Sequence, residues 1–303
     1  MTASFRTDTV SRPDETVQGG SDGDSVKPAP FAYAKARTLE HAIELLGDFE
    51  DARVLAGGQS LLPMLNMRVA APGALVDING VAELAGIRLV NGMVEIGALT
   101  RHAQAERSPV IAAHAPLLAR ALPHVGHAAI RNRGTIGGSI AFADPAAELP
   151  ACFLALGGEA EVVGPAGRRV LPADSFFTGL FETALGPRDI LTAIRVAAAG
   201  PGSRIGFDEL ARRHGDYAMV GLAATAQAAG NGIEDTRLAF FGVGATPVRA
   251  RGAEAALVNG IEAAVAALDD ELDPEPDLQA GAAAKKHLAK VLLRRVAAQL
   301  ALT

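Results

Sequence analysis

Cysteine is nearly missing from this 303-residue chain, where Cys152 stands alone. One thiol cannot close an intramolecular disulfide, and an iron–sulfur cluster takes about four thiolates, so the chain holds no cluster of its own. A reducing, cytoplasmic setting fits that usage. No apolar run reaches the roughly 20 residues that a membrane-spanning helix needs. Positive charge is also short: 34 acidic residues against 28 Lys and Arg leave a formal charge of −6. That balance argues against nucleic acid, whose phosphates call for a basic face.

Several catalytic and binding signatures are absent as well. There is no Gly-x-Ser-x-Gly nucleophile turn, and no glycine cluster leads into the Gly-Lys-Ser/Thr of a nucleoside triphosphate loop. Phe241-Gly242-Val243-Gly244-Ala245-Thr246-Pro247 approaches a dinucleotide fingerprint but has Pro247 where the third glycine belongs. His124 and His127 form a His-x-x-His pair with neither a second cysteine nor a nearby carboxylate in sequence, so no metal site is expected. Cys152 lies in an apolar run and reads as a small buried hydrophobe. No catalytic residue is assigned.

What remains is an ordinary globular composition, 49 % hydrophobic and 20 % charged, with room for about two domains. Residues 1–28 are polar and read as a disordered extension. Thr38 followed by Leu39, Ala42, Ile43 and Leu46 predicts a capped helix stopped by Gly47. Strands are predicted over 52–55 and 74–78, with a short helical piece over 61–67. Asn91-Gly92 between two β-rich runs predicts a hairpin. Helices are predicted over 101–106 and 110–121, then a second hairpin over 159–163 and 168–171. The Ala-Gly-Pro-Gly stretch over 197–203 marks a boundary. Beyond it two antiparallel strands (217–229 and 236–243) precede helices over 248–267 and 279–300. This order is α+β rather than a regular strand–helix alternation.

Two glycine clusters stand out. The first is Leu55-Ala56-Gly57-Gly58-Gln59-Ser60-Leu61-Leu62, directly after a strand. The second is Gly134-Thr135-Ile136-Gly137-Gly138-Ser139-Ile140, followed by Asp144 and Glu148. Paired glycines let a backbone take positive φ and bring N–H groups up to an anion with no Cβ between them. Ser60, Thr135 and Ser139 add hydroxyls. Two such loops can grip the two phosphates of a pyrophosphate from opposite sides, although either alone also reads as a plain turn.

Three segments occur in fixed order: Ala56-Gly57-Gly58-Gln59-Ser60-Leu61-Leu62-Pro63, Ile130-Arg131-Asn132-Arg133-Gly134-Thr135-Ile136-Gly137-Gly138-Ser139, and Arg212-Arg213-His214-Gly215-Asp216-Tyr217-Ala218. Together they resemble the FAD-binding medium subunit of the carbon monoxide dehydrogenase and xanthine dehydrogenase family of molybdenum hydroxylases. The likeness runs from about Phe31 to the last helix.

The resemblance implies a two-part FAD-binding domain of the vanillyl-alcohol-oxidase (PCMH) type over 29–199. A smaller C-terminal α+β domain of the CO dehydrogenase flavoprotein type would follow over 200–303. It implies FAD held at Ala56, Gly57, Gly58, Gln59, Ser60 and Leu61, and at Thr135, Gly137, Gly138 and Ser139. Glu148, with Asp144 nearby, would meet the adenosine ribose, and Tyr217 would lie beside the isoalloxazine ring. Partners implied are a [2Fe–2S] small subunit and a molybdenum-cofactor large subunit, in a heterotrimer or its dimer. The chain departs from the family at Phe142, often His, at Ser139, sometimes Asn, and at Gln59, commonly His. Rival readings are a free-standing FAD-dependent oxidoreductase and a scaffold that has lost its flavin. Arg131 and Arg133 are further candidates for steering phosphate.

Overall fold

The computed structural model describes residues 10–11, 27–230 and 232–301. Local signals place the first elements. Thr38 caps the helix Leu39–Asp48 by accepting the His41 N–H at 3.2 Å, and the helix runs through Gly47 to Asp48. Short apolar strands Ala32–Lys35 and Ala52–Leu55 flank Ala74–Asp77 in parallel. Most of the predicted extension lies outside the described residues. Its described Val10–Ser11 pairs antiparallel with Ala34 and Tyr33, a pairing the polar composition does not signal. Leu39, Leu46, Val76 and Ile78 make this lobe's core.

The second lobe is a five-stranded antiparallel sheet in the order Ile87–Val90, Met93–Gly97, Ile190–Ala197, Glu159–Gly164, Gly167–Pro172. Asn91 (φ 50°) and Gly92 (φ 77°) both take positive φ at the first hairpin, the backbone that matches strand twist. Helices cover this sheet and bury Leu117, Leu118, Phe153 and Ile140. One predicted helix is two, Pro109–His114 and Pro116–Ala121. Pro116 has no N–H to continue the ladder and pushes Ala115 out of the helical region (ψ 56°).

The third sheet is antiparallel, in the order Ser203–Leu210, Val220–Ala229, Gly232–Phe241, Val248–Arg249. Its faces go to two cores. Val220, Leu222, Ala224 and Phe240 pack with Leu268, Leu292 and Val296 of the C-terminal helices. Ala223, Ala239 and Phe241 join the second lobe's core instead. Alternation along the strand thus joins the C-terminal part to the lobe before it. The helix predicted over 248–267 is corrected in two ways. Val248–Arg249 is an edge strand, and Gly260 (φ 98°) separates Arg251–Ala256 from Ile261–Glu271. The last helix spans Ala282–Ala301. The fold is α+β, as the sequence implies. Among the described residues no helix is long and apolar enough to cross a membrane.

Candidate functional site

The two glycine clusters come from different lobes and meet. The first follows strand Ala52–Leu55 and leads into helix Leu61–Asn66. A Cβ on Gly57 would lie 2.6 Å from the Arg133 carbonyl oxygen and 2.8 Å from Gly134 Cα, so only glycine permits this approach. Gly58 takes φ 73°. The Ala56 carbonyl accepts from Asn79 Nδ2 at 2.7 Å. No cis peptide occurs among the described residues, so the Gly57 N–H points the opposite way from that carbonyl. Gly57 is buried, yet no acceptor among the described residues meets the N–H groups of Gly57, Gly58, Gln59 or Ser60. Gln59 Nε2 folds back onto the Gly57 carbonyl at 3.2 Å, and the Ser60 hydroxyl makes no cap bond.

The second cluster is wired differently. Thr135 caps helix Ile136–Phe142, its Oγ1 accepting the Gly138 N–H at 3.0 Å. The Ile136 and Gly137 N–H groups donate to the Thr100 and Ala98 carbonyls at 2.9 Å, and Ser139 N–H to the Thr135 carbonyl at 3.0 Å. A Cβ on Gly137 would fall 2.3 Å from Ala98 Cβ. Most amides of this loop therefore already have protein acceptors, and its glycines allow close packing. The Ser139 hydroxyl has no hydrogen-bond partner among the described residues.

Beneath this loop His102 is buried, its Nε2 2.9 Å from the Thr135 carbonyl. Burial pulls its pKa down to about 4, so the ring is neutral at pH 7 and donates from Nε2. Its Nδ1 has no hydrogen-bond partner among the described residues.

At the far end of helix Ile136–Phe142, Ala143 turns left-handed (φ 54°) and Asp144 Oδ1 accepts the Ala146 N–H at 2.9 Å. The Pro145 carbonyl accepts the Gly242 N–H at 2.7 Å, tying the C-terminal part to this end. Glu148 is 7 % exposed, and burial pushes its carboxyl up to about 7, with Glu209 and Asp144 adding and His124 opposing. His124 Nδ1 pairs with Glu209 Oε1 at 3.0 Å, a hydrogen bond that raises the imidazole pKa. Burial raises the phenol of Tyr217, and the negative charges of Asp144 and Glu148 raise it further. The residue as a whole is 58 % exposed. Gly215 packs against His127, placing the Gly-Asp-Tyr segment beside the chain that enters the second loop. Phe142 faces Phe181 with ring centroids 5.1 Å apart.

The structure thus gathers Ala56–Ser60 with Gly134–Ser139 at one end of a short helix, and Asp144, Glu148 and Tyr217 at the other. Arg131 is committed elsewhere, to Glu106 at 2.9 Å and the Gly126 carbonyl at 2.9 Å, whereas Arg133 is exposed. Sequence reasoning missed Tyr33, Asp77, Asn79 and Arg101, which link the two loops. No local pattern marks them, because their contacts span distant segments. Among the described residues no group of three or more His, Cys, Asp and Glu is placed to hold a metal ion.

Unpaired, partly buried amides beside a second glycine loop form a candidate site suited to an anionic cofactor. The profile described as "FAD binding domain in molybdopterin dehydrogenase" matches residues 29–198. The "CO dehydrogenase flavoprotein C-terminal domain" profile matches residues 205–300. The chain is 39 % identical over 282 residues to the 6-hydroxypseudooxynicotine dehydrogenase complex subunit alpha of Paenarthrobacter nicotinovorans, covering 90 % of this chain and 95 % of that one. It is 38 % identical over 275 residues to the carbon monoxide dehydrogenase medium chain of Hydrogenophaga pseudoflava, covering 88 % and 96 %. Among solved structures, carbon monoxide dehydrogenase from Hydrogenophaga pseudoflava superposes with a TM-score of 0.88 at 38 % identity, covering 90 % of this chain and 98 % of that one. The chain belongs to the family of FAD-binding medium subunits of the molybdenum hydroxylases, and is an oxidoreductase subunit whose cofactor is FAD.

Proposed function

We propose that this chain is the electron-transfer subunit of a molybdenum hydroxylase. In this reading it takes electrons from a [2Fe–2S] small subunit and passes them to an external acceptor, while a molybdenum-cofactor large subunit oxidises the organic substrate. The observation that carries the site is the run of unpaired amides at Gly57–Ser60. A buried N–H without an acceptor is rare in a finished fold, and the phosphates of FAD provide one.

Ala56 to Leu61 and Thr135, Gly137, Gly138 and Ser139 would hold the pyrophosphate, with Ser139 contributing its free hydroxyl. Glu148, whose carboxyl burial raises to about 7, is protonated in part near neutrality and can offer a ribose either a donor or an acceptor, with Asp144 nearby. Tyr217, an exposed residue, offers its ring to the isoalloxazine. Bound FAD supplies the redox chemistry that the chain's side chains lack. The protein's part is to bind, orient and exclude water.

The electron donor lies outside the chain because its single buried cysteine holds no cluster. The relatives' own names, "complex subunit" and "medium chain", agree with borrowed partners. A heterotrimer or its dimer in the cytoplasm is the assembly this reading favours.

The test is reduction of the purified full-length chain with and without its two co-expressed partners. Organic substrate should bleach the flavin band only in the assembled complex. Bleaching of the isolated chain by an organic donor would instead support a free-standing oxidoreductase. A colourless chain that takes up no FAD would support the scaffold reading.

A further inference from the structure

An anion cradle made of backbone has a requirement on its outer side. Each peptide turned so that its N–H faces the ligand turns a carbonyl the other way, and that carbonyl needs a donor of its own. At the first loop the outward carbonyl is that of Ala56, and the Asn79 side-chain amide meets it at 2.7 Å. Where the second loop touches the first, the Gly134 N–H already donates to the Ile130 carbonyl at 2.7 Å, and the Arg133 carbonyl against Gly57 is met by Arg101 Nη1. The two donors are joined, since Arg101 Nη2 donates to Asn79 Oδ1 at 2.7 Å.

Behind them the chain continues into the first lobe's sheet. Asp77 Oδ1 accepts the Asn79 backbone N–H at 2.8 Å and its Nδ2 at 2.7 Å, and Asp77 Oδ2 accepts the Tyr33 hydroxyl at 2.6 Å. Burial pushes the Asp77 carboxyl up, but the hydrogen bonds from Tyr33 and Asn79 outweigh it and hold the group ionised. The amide orientation of Asn79 is thereby determined. Its nitrogen faces two acceptors and its oxygen faces a guanidinium.

We infer that Asn79 is a positioning residue for FAD. With Arg101 it turns the Ala56–Gly57 peptide toward the cofactor and sets the spacing of two glycine loops carried by different lobes. This rests on the FAD reading above and deepens it. Asn79 touches no phosphate; it acts through the direction of the Gly57 N–H and through the gap closed at Gly57 and Arg133.

Asn79→Asp is the informative variant. It keeps shape and an acceptor for Arg101 but replaces the donor to Ala56 with an oxygen, so the peptide is no longer held. Binding is followed on the full-length chain by quenching of flavin fluorescence, with ADP as a competitor that reports the pyrophosphate half alone. We expect Asn79→Asp to weaken FAD and ADP by the same factor, about tenfold or more. FAD should also lose its protection of the Gly57 to Ser60 amides against hydrogen exchange.

Arg101→Lys, which cannot bridge both loops, should weaken FAD by a smaller factor and serves if the first variant does not fold. A merely structural Asn79 would lower the melting temperature without FAD yet leave both affinities and the exchange protection at wild-type values. That result, with wild-type protein still binding FAD, overturns the positioning role alone. Failure of wild-type protein to bind FAD overturns the reading beneath it.

Discussion

The two glycine loops of this chain share a residue pattern and differ in what their glycines do. At Gly57 the missing side chain lets two lobes touch, Gly58 takes positive φ, and the N–H groups find no acceptor among the described residues. At Gly137-Gly138 they let a helix start directly on Ala98, with the amides taken by Thr135 and the Ala98 carbonyl. One loop leaves its donors without an acceptor among the described residues, and the other uses most of its donors to build the wall against which the first is set. A glycine pair is thus a licence for close approach, and only the neighbouring acceptors decide whether a ligand or the fold uses it.

The sharpest way to break this comparison is an alanine in each loop. Gly57→Ala drives a methyl into the Arg133 carbonyl and should reduce FAD affinity about a hundredfold, with a modest change in melting temperature without FAD. Gly137→Ala drives its methyl into Ala98 and should mainly lower that melting temperature, by several degrees for an overpacking of roughly 1–3 kcal/mol. Equal effects on both quantities from both variants would erase the distinction.

Titration separates the regions next. The Ala56–Ser60 loop has no ionisable group, whereas both ends of helix Ile136–Phe142 do. Glu148 is raised by burial from the usual carboxylate range to about 7. The folded state therefore holds its proton more tightly than the unfolded one, and stability falls as pH rises from about 4.5 through 7. The amplitude is roughly 3 kcal/mol at most. His102 works the other way: lowered by burial to about 4, it favours folding above pH 6.5 and loses that contribution as pH falls toward 4. Urea unfolding of the protein without FAD should show Glu148→Gln flattening the neutral limb. An unchanged slope in that variant would assign the pH dependence to another group.

Two hydroxyls give the smallest effects. Thr135→Val removes the helix cap and should cost about 1 kcal/mol of stability, read from the urea midpoint. Ser60→Ala removes a hydroxyl that caps nothing, so stability should hold while FAD binds roughly threefold to tenfold more weakly. A destabilised Ser60→Ala would show that the first loop is also a structural element.

Much of the fold was legible where one or two residues settle the backbone. Asn91-Gly92 demands positive φ at both positions, and Thr38 offers a cap to an apolar helical stripe. Legibility failed where a neighbour from elsewhere intervened. Val248–Arg249 resembles the start of a helix but pairs with Ala239 and Phe240 at a sheet edge. The helix predicted over 248–267 spans Gly260, whose φ of 98° breaks it. The candidate site divides in the same way. The glycine clusters, Asp144, Glu148 and Tyr217 were visible as motif residues, while Asn79 and Arg101 were not, because neither carries a pattern of its own.

By itself the sequence determined which segments can bend and which cannot form a cluster, a triad or a nucleotide loop. Those are properties of residue type and spacing, and single-residue sterics and ligand counts settle them. Tertiary structure alone decided which glycine loop keeps its amides free. That depends on where Thr100, Ala98, Asn79 and Arg101 place their carbonyls and donors. A hydrogen bond needs a partner within about 3 Å, and which groups come that close is decided only when distant segments pack.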